Sequence, residues 1–457
     1  MRRSGLKTWL LVTLTLAFLV VGSISYLGWR QSVPGVQARL AAPLTHIGLR
    51  TPLTLELTAA WGGIASVELR LLQGTHRATL AREDFPAPRV NQRRLELVVE
   101  GKSPGLRDGS ATLEVFARDG FWRPLRVGDR PIIVQPITLD LTPPTLEVLS
   151  ATQYLAQGGG GVVAFRSKGA KRAGVNAGGI FFPGYPVGES EGAVHVALIA
   201  IPYTSPATTP LLVTAADEAG NVASRSAPSQ IKPRRFPSGV VEIGEDFLRQ
   251  KLPELLPERP SIPDDRLLEA FLEVNREKRR QAEDAKRRLA AKTQGTPLWQ
   301  GAFLQPRNTK VFSNFAETRT YRFRGQDVDT QVHFGYDLAS LRESPAPAAN
   351  SGIVVFAEPL TIYGNTVVVD HGLGLQTFYA HLSRIDVRVG DRVEKGQELG
   401  RTGTSGLAVG DHLHFEVLIH GISITPLEWW DAKWIRDHIA RPLQAANVAF
   451  PGDEGVR

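Results

Sequence analysis

The chain of 457 residues contains no cysteine and one methionine. Without cysteine there are no disulfides, no thiolate-ligated metal or iron–sulfur cluster, no thiol nucleophile and no cysteine-linked lipid, while the redox compartment stays open. Apolar residues make up 42% and charged residues 22%, close to globular averages, which excludes both a wholly disordered chain and a polytopic membrane protein. Helix bundles are disfavoured as well, because 44 glycines and 31 prolines suit turn-rich β structure. The formal charge of +7 fits a polyanionic partner, but charge alone does not choose among nucleic acid, anionic lipid and cell-wall polymer. The length implies several domains.

One long uncharged run is present. Arg2, Arg3 and Lys7 precede the stretch from Thr8 to Trp29, which at about 1.5 Å per residue can cross a hydrocarbon core of about 30 Å. Trp9 at one end and Tyr26 and Trp29 at the other sit where amphipathic rings prefer membrane interfaces, and the leading basic cluster predicts a cytoplasmic N-terminus. Residues 1–30 are therefore expected to be a cytoplasmic stub and single-pass anchor in the inner (cytoplasmic) membrane, with the bulk exported to the periplasm or cell wall. The alternative is a cleaved signal peptide, with Ser23 and Ser25 near a weak processing site.

Beyond the anchor, apolar residues alternate with polar ones at Leu53, Leu55 and Leu57, at Val67, Leu69 and Leu71, and at Leu113 and Val115. Period two predicts half-buried strands and an antiparallel sandwich over 37–141. Thr142-Pro143-Pro144 interrupts the pairing, and a second β-rich module is expected over 142–233. Its opening Thr142-Pro143-Pro144 and its late Asp217-Glu218-Ala219-Gly220-Asn221 resemble the turns of bacterial immunoglobulin-like surface modules. A helical linker is expected over 240–296: Leu267, Leu268, Phe271 and Leu272 form an apolar stripe, Pro263 marks a start, and Gly295-Thr296-Pro297 an end. Its charged second half reads as a solvated connecting helix, with an arm regulating access to the next domain as the alternative. Strands then return, giving a β-rich domain over 300–430 and a tail over 431–457.

Six of the ten histidines, His333, His371, His381, His412, His414 and His420, lie between 333 and 420. His412 and His414 are two apart in a β-type run and so face one side; His333 and Asp337, four apart, could share a face of one strand. Imidazoles with one carboxylate suit a catalytic zinc, which takes three protein ligands and leaves a position for water, and hydrolysis of an amide follows from that chemistry. Spacing alone does not choose three ligands among six histidines.

Five motifs do more: His333-Phe-Gly-Tyr-Asp337, Tyr363-Gly-Asn-Thr-Val-Val-Val-Asp-His371-Gly, Tyr379-Ala-His381-Leu-Ser, Val389-Gly-Asp-Arg-Val-Glu-Lys-Gly396 and His412-Leu-His414-Phe-Glu. In order and spacing they resemble the lysostaphin-type (LytM, M23) zinc metallopeptidases, over about Gln305 to Trp430. The resemblance implies Zn2+ held by His333, Asp337 and His414, with His381 and His412 as the catalytic pair, and a substrate among peptidoglycan stem or cross-link peptides. It implies no nucleic-acid partner; a protein partner could bind the sandwich modules. Some family members have lost the ligands and act by activating other murein hydrolases, so a non-cleaving, wall-binding scaffold is the alternative function. Two departures are Phe315-Ala316, where the family usually has Phe-Gly before the first ligand strand, and the charged segment from Arg319 to Gln331; both are expected to reshape the groove wall.

Other signals are weaker. His371 and His420 read as bystanders, and His195 as solvated. Gly188-Glu189-Ser190-Glu191-Gly192 matches a serine-hydrolase elbow but lies between a turn and a strand, and Gly158-Gly159-Gly160-Gly161 lacks the Lys-Ser/Thr and the helix of a phosphate loop. The 389–396 motif also resembles lipoyl and biotinyl carrier modules, which would leave the histidines unexplained.

Overall fold

In the computed structural model, residues 3–125, 130–188 and 193–449 are described, with side chains from Thr8 onward. Most of the Gly188–Gly192 motif, the N-terminal basic side chains and the end of the 431–457 tail lie outside these residues. The chain is mainly β and divides into two compact units: Met1–Pro144 with Ala216–Val222, and Thr145–Ala215 with Ala223–Arg457.

In the first unit the helix Arg3–Ser32 is long and apolar enough to cross a membrane. Two sheets follow. Thr51–Thr58 pairs antiparallel with Gln37–Leu40 and Gln92–Val99, and a five-stranded sheet runs in the order His46–Ile47, Ile133–Leu139, Gly109–Asp119, Ile64–Gln73 and His76–Asp84. The alternating residues meet between them: Leu53, Leu55 and Leu57 from one sheet, and Val67, Leu69, Leu71, Leu113 and Val115 from the other, are all buried in one core. The turn Asp217–Asn221 belongs to this unit. Asn221 donates its main-chain N–H to Asp217 Oδ1 and its Nδ2–H to Asp217 Oδ2, and its Oδ1 accepts from the Leu49 amide at 2.6 Å.

The second unit begins with two four-stranded sheets, one ordered Tyr185–Val187, Val194–Ala200, Gly160–Lys168, Thr145–Ala151. Buried Phe165, Val196, Leu198 and Ile199 from this region share one apolar core with Trp299, Tyr336, Leu375, Phe415 and Trp429 from the C-terminal region. Glycines permit the close approach. A Cβ on Gly159 would lie 2.4 Å from Glu428 Oε1, and the Gly160 amide donates to Glu428 Oε2 at 2.8 Å.

Between these regions, Glu245–Leu255, Leu267–Glu273, a π-helical turn Val274–Lys278 and Arg279–Leu289 form a helical arm. The expected solvated connecting helix is instead packed. Leu248, Leu252, Leu267, Phe271 and Val274 are buried against Tyr321, Ile362, Tyr363, Phe378 and Leu418, and even Lys286 in the charged half is only 2% exposed. The charge density suggested solvent, but the lysine finds buried counter-charge, described below.

Two sheets carry the candidate site. A three-stranded sheet pairs Ser238–Ile243 in parallel with Glu317–Phe323, which pairs antiparallel with Gln326–His333. An eight-stranded sheet places Lys310–Ser313, Tyr336–Ala339, Leu413–Ile419 and Leu375–Leu382 side by side, with Asp337 directly opposite His414 and Ala380 opposite His414 on the other flank.

Candidate metal centre

His333, Asp337 and His414 come together, all buried, each offering one ligand atom, and those atoms lie within 4.8 Å of one another. The route differs from the single-strand expectation. His333 ends Gln326–His333 in one sheet, Asp337 stands in Tyr336–Ala339 of another, and Phe334-Gly335 turns the chain between them. Gly335 is needed there because a Cβ would fall 2.8 Å from the His414 ring and 2.6 Å from the Phe415 carbonyl oxygen.

Outer contacts fix which atoms face inward. His333 Nδ1–H donates to the Asn314 carbonyl oxygen at 2.9 Å, so a neutral ring turns the Nε2 lone pair inward. His414 Nε2–H donates to Glu416 Oε1 at 2.8 Å, which leaves Nδ1 as the inward lone pair. Asp337 Oδ2 accepts from Arg319 at 2.7 Å, and Oδ1 turns inward. The remaining three atoms are acceptors 2.9 to 3.0 Å apart. Three lone pairs at that separation repel unless a cation lies among them, so this donor set fits a metal ion bound by two imidazoles and a carboxylate. The electrostatics agree. Burial would raise the Asp337 pKa, but the surrounding histidines hold it well below the ordinary range. Burial pulls His333 down; for His414 burial acts the same way, but Asp337 and Glu416 outweigh it and lift the pKa.

The other two expected residues adjoin this cluster. His412 bridges Gly403 just before Leu413–Ile419 and donates Nδ1–H to the Gly410 carbonyl oxygen at 2.7 Å, while its Nε2 is 3.4 Å from Asp337 Oδ1. His381 donates Nδ1–H to the Ser405 carbonyl oxygen at 2.8 Å, and its ring centroid is 4.8 Å from that of His412. Burial, reinforced by His412 and His414, holds His381 well below its ordinary pKa. Its backbone φ of 61° is left-handed, a strained conformation for a residue with a Cβ. All five residues line one cavity of about 580 Å³.

Three supporting residues make contacts that the sequence did not disclose. Arg319 neutralises the outer oxygen of Asp337. Glu416, two residues beyond His414, is fully buried and accepts from Lys286 Nζ at 2.6 Å. Lys286, on the helical arm, also donates to the Tyr363 hydroxyl at 2.6 Å and to Glu283 at 2.9 Å. Burial would raise the Glu416 pKa, but the Lys286 charge and the His414 contact hold it low. The period-two rule could have found Glu416; 130 residues separate it from Lys286, and no local pattern links them.

The Phe315-Ala316 departure carries a cost. Ala316 has φ of 58°, and its amide donates to the His333 carbonyl oxygen at 2.7 Å in the turn that carries Asn314. Glycine adopts this conformation freely; alanine costs about 1–2 kcal/mol.

The remaining histidines stay outside the cluster. His371 bridges the Ser351 carbonyl oxygen and Thr377, and burial draws its pKa down to about 4. His420 stacks on Tyr185 and is likewise drawn to about 4 by burial. His195, expected to be solvated, is half-buried and stacks on Phe165 at 5.3 Å, which covers one face of the ring.

Residues 331–426 match the family model described as Peptidase family M23. Peptidoglycan DD-endopeptidase ShyA of Vibrio cholerae is 35% identical over 121 residues, 26% of this chain and 27% of the relative. DD-carboxypeptidase/endopeptidase Mpg of Neisseria meningitidis serogroup B is 35% identical over 117 residues, with 26% and 27% covered. The chain thus spans about a quarter of the length of these curated relatives. Among solved structures, the catalytic domain of the antimicrobial peptidase lysostaphin from Staphylococcus simulans aligns at 26% identity, over 27% of this chain and 92% of that one, with a TM-score of 0.24.

Proposed function

We propose that the protein is a membrane-anchored, exported zinc metalloendopeptidase that hydrolyses peptide bonds of peptidoglycan. In this reading His333, Asp337 and His414 hold Zn2+, and His381 and His412 handle protons. The carrying observation is the convergence of three buried lone-pair atoms beside two further imidazoles in one cavity. The names of the relatives, DD-endopeptidase and DD-carboxypeptidase/endopeptidase, support wall peptides as substrate. The helix Arg3–Ser32 supports the anchor. Residues 37–141 and 142–233 we read as immunoglobulin-like modules that position the 300–430 peptidase domain and offer surface to a protein partner.

When bound, zinc supplies a Lewis acid that polarises the scissile carbonyl and acidifies water. The chain's own residues do the remaining work. His381 and His412 have committed Nδ1–H to backbone carbonyls, so Nε2 is the acceptor atom of a neutral ring at either position. Burial keeps His381 neutral near pH 7, and one ring of the pair takes the proton from the attacking water and returns it to the departing amine. Asn314 and Glu416 hold the tautomers of His333 and His414, and Arg319 offsets the charge of Asp337.

The test separates two histidines of one motif, using the full chain on purified wall sacculi. His414→Ala removes a ligand, so metal content and cleavage fall together. His412→Ala keeps one zinc per chain while cleavage drops about a hundred- to ten-thousand-fold. Zinc binding by the wild type without any cleavage overturns the enzyme in favour of the scaffold.

A further inference from the structure

The cavity holding the metal cluster is not built from the 331–426 region alone. Gly239 to Gly244, Phe247, Phe271 and Arg279 also line it. The charged residues on its wall are mostly paired internally: Arg319 with Asp337 at 2.7 Å and with Glu317 at 3.7 Å, and Glu242 with Arg322 at 3.4 Å. Arg279 differs. Its Nε donates to the Asn275 carbonyl oxygen at 3.1 Å, and its Nη2 to Asn275 Oδ1 at 2.7 Å and, more distantly, to the Tyr321 hydroxyl at 3.4 Å. All of these acceptors are neutral. Its neighbours Arg276 and Arg280 each reach carboxylates, Asp329 for one and Glu277 and Asp284 for the other, whereas no carboxylate among the described residues lies within ion-pair distance of Arg279.

This guanidinium is held in place. Asn275 is fully buried and donates Nδ2–H to Asp329 Oδ2 at 2.8 Å, which turns its Oδ1 toward Arg279. The π-helical turn Val274–Lys278 immediately precedes Arg279, whose amide closes onto the Val274 carbonyl oxygen. Such turns recur at functional sites because the extra residue re-aims the side chains that follow. A half-buried guanidinium has lost part of its hydration, so a charge-assisted hydrogen bond from it to a carboxylate is stronger than one made in open water. Nη1 has no partner among the described residues, so its N–H groups are open to an incoming group on the cavity wall.

Accepting the peptidase reading above, we propose that Arg279 binds a free carboxylate of the peptide substrate and thereby selects acidic wall peptides over their amidated forms. Such a group stands, among other positions, on the side chain of a diamino-acid residue and at the C-terminus of the stem. Both present the same chemistry, and the experiment separates them.

Full-length wild type and the Arg279→Gln and Arg279→Lys variants are given cross-linked peptides with both carboxylates free, with only the side-chain one amidated, or with only the terminal one amidated. Amidation of the recognised carboxylate lowers wild-type kcat/KM about ten- to a hundred-fold, mainly through KM. In Arg279→Gln the ratio between free and amidated peptide collapses toward one, with Arg279→Lys between. The arm in which the preference appears identifies the carboxylate. Wild type indifferent to both amidations overturns the proposal without reference to any variant, as does a Gln variant that keeps the full preference. If the wild type cleaves none of the peptides, the peptidase reading falls separately. Equilibrium binding of the same peptides then decides: binding that needs the carboxylate and Arg279 sustains the subsite, and binding indifferent to either overturns it.

Discussion

The two β-rich regions between the N-terminal helix and the helical arm have similar alternation but differently completed cores. In the first, Leu55, Leu69 and Leu113 come from its own strands and bury one another. In the second, Phe165, Val196 and Ile199 lie in one core with Phe415 and Trp429, some 200 residues further along. The Thr152 hydroxyl donates to the His438 carbonyl oxygen at 2.6 Å, and Glu428 takes the Gly160 amide. A strand pattern reveals that a face is buried, and leaves open which part of the chain covers it.

Three measurements press on that contrast. The largest effect is expected from cutting the chain at residue 300. A fragment 300–457 loses both the second β-rich region and the helical arm, exposes their shared cores, and should be molten by circular dichroism and inactive on sacculi. A fragment 145–457 should fold and cleave. A folded, active 300–457 would break the comparison.

Next comes Glu428, at the seam between the second region and the C-terminal one. Burial pushes its carboxyl from the ordinary 4.5 up to about 7. Between these values the folded protein keeps a proton that the unfolded chain releases, so stability is highest at the acid end and declines as pH rises through the window. The loss is about 3 kcal/mol. Glu428→Gln retains an acceptor for Gly160 and should flatten the denaturant midpoint across pH 4.5 to 7. A variant that keeps the wild-type slope would remove Glu428 as its source.

The smallest effect on the C-terminal region should come from Leu55→Ala. It opens a cavity in the first core and costs that unit about 2–5 kcal/mol, visible as an earlier calorimetric transition, while zinc content and wall cleavage stay as in the wild type. Loss of metal would show that the first core is not self-contained.

Legibility in the sequence followed the range of the interaction. His412 and His414 were read as facing one side because they are two apart, whereas Asp337 meets His414 across a ladder that no spacing in the sequence encodes. For His333 and Asp337 even spacing suggested one strand, while the chain turns at Gly335, changes sheet and leaves the two side chains 2.9 Å apart. Arg319, Lys286 and Arg279 were unreadable, since each acts across a contact that no periodicity encodes. Burial of Lys286 also ran against the usual rule that charged helices face water.

Lys286 bears on how the region that matches the family could be moved between proteins. A graft cut at the limits of the family match, 331–426, would carry Glu416 without its cation. An uncompensated buried carboxylate costs about 3–5 kcal/mol and here would sit directly behind a candidate ligand. The transplantable piece is therefore larger than the recognisable motif: it must keep the lysine and also the second β-rich region that completes the shared core, and a chimera cut near residue 145 should accept foreign N-terminal modules where the shorter one fails.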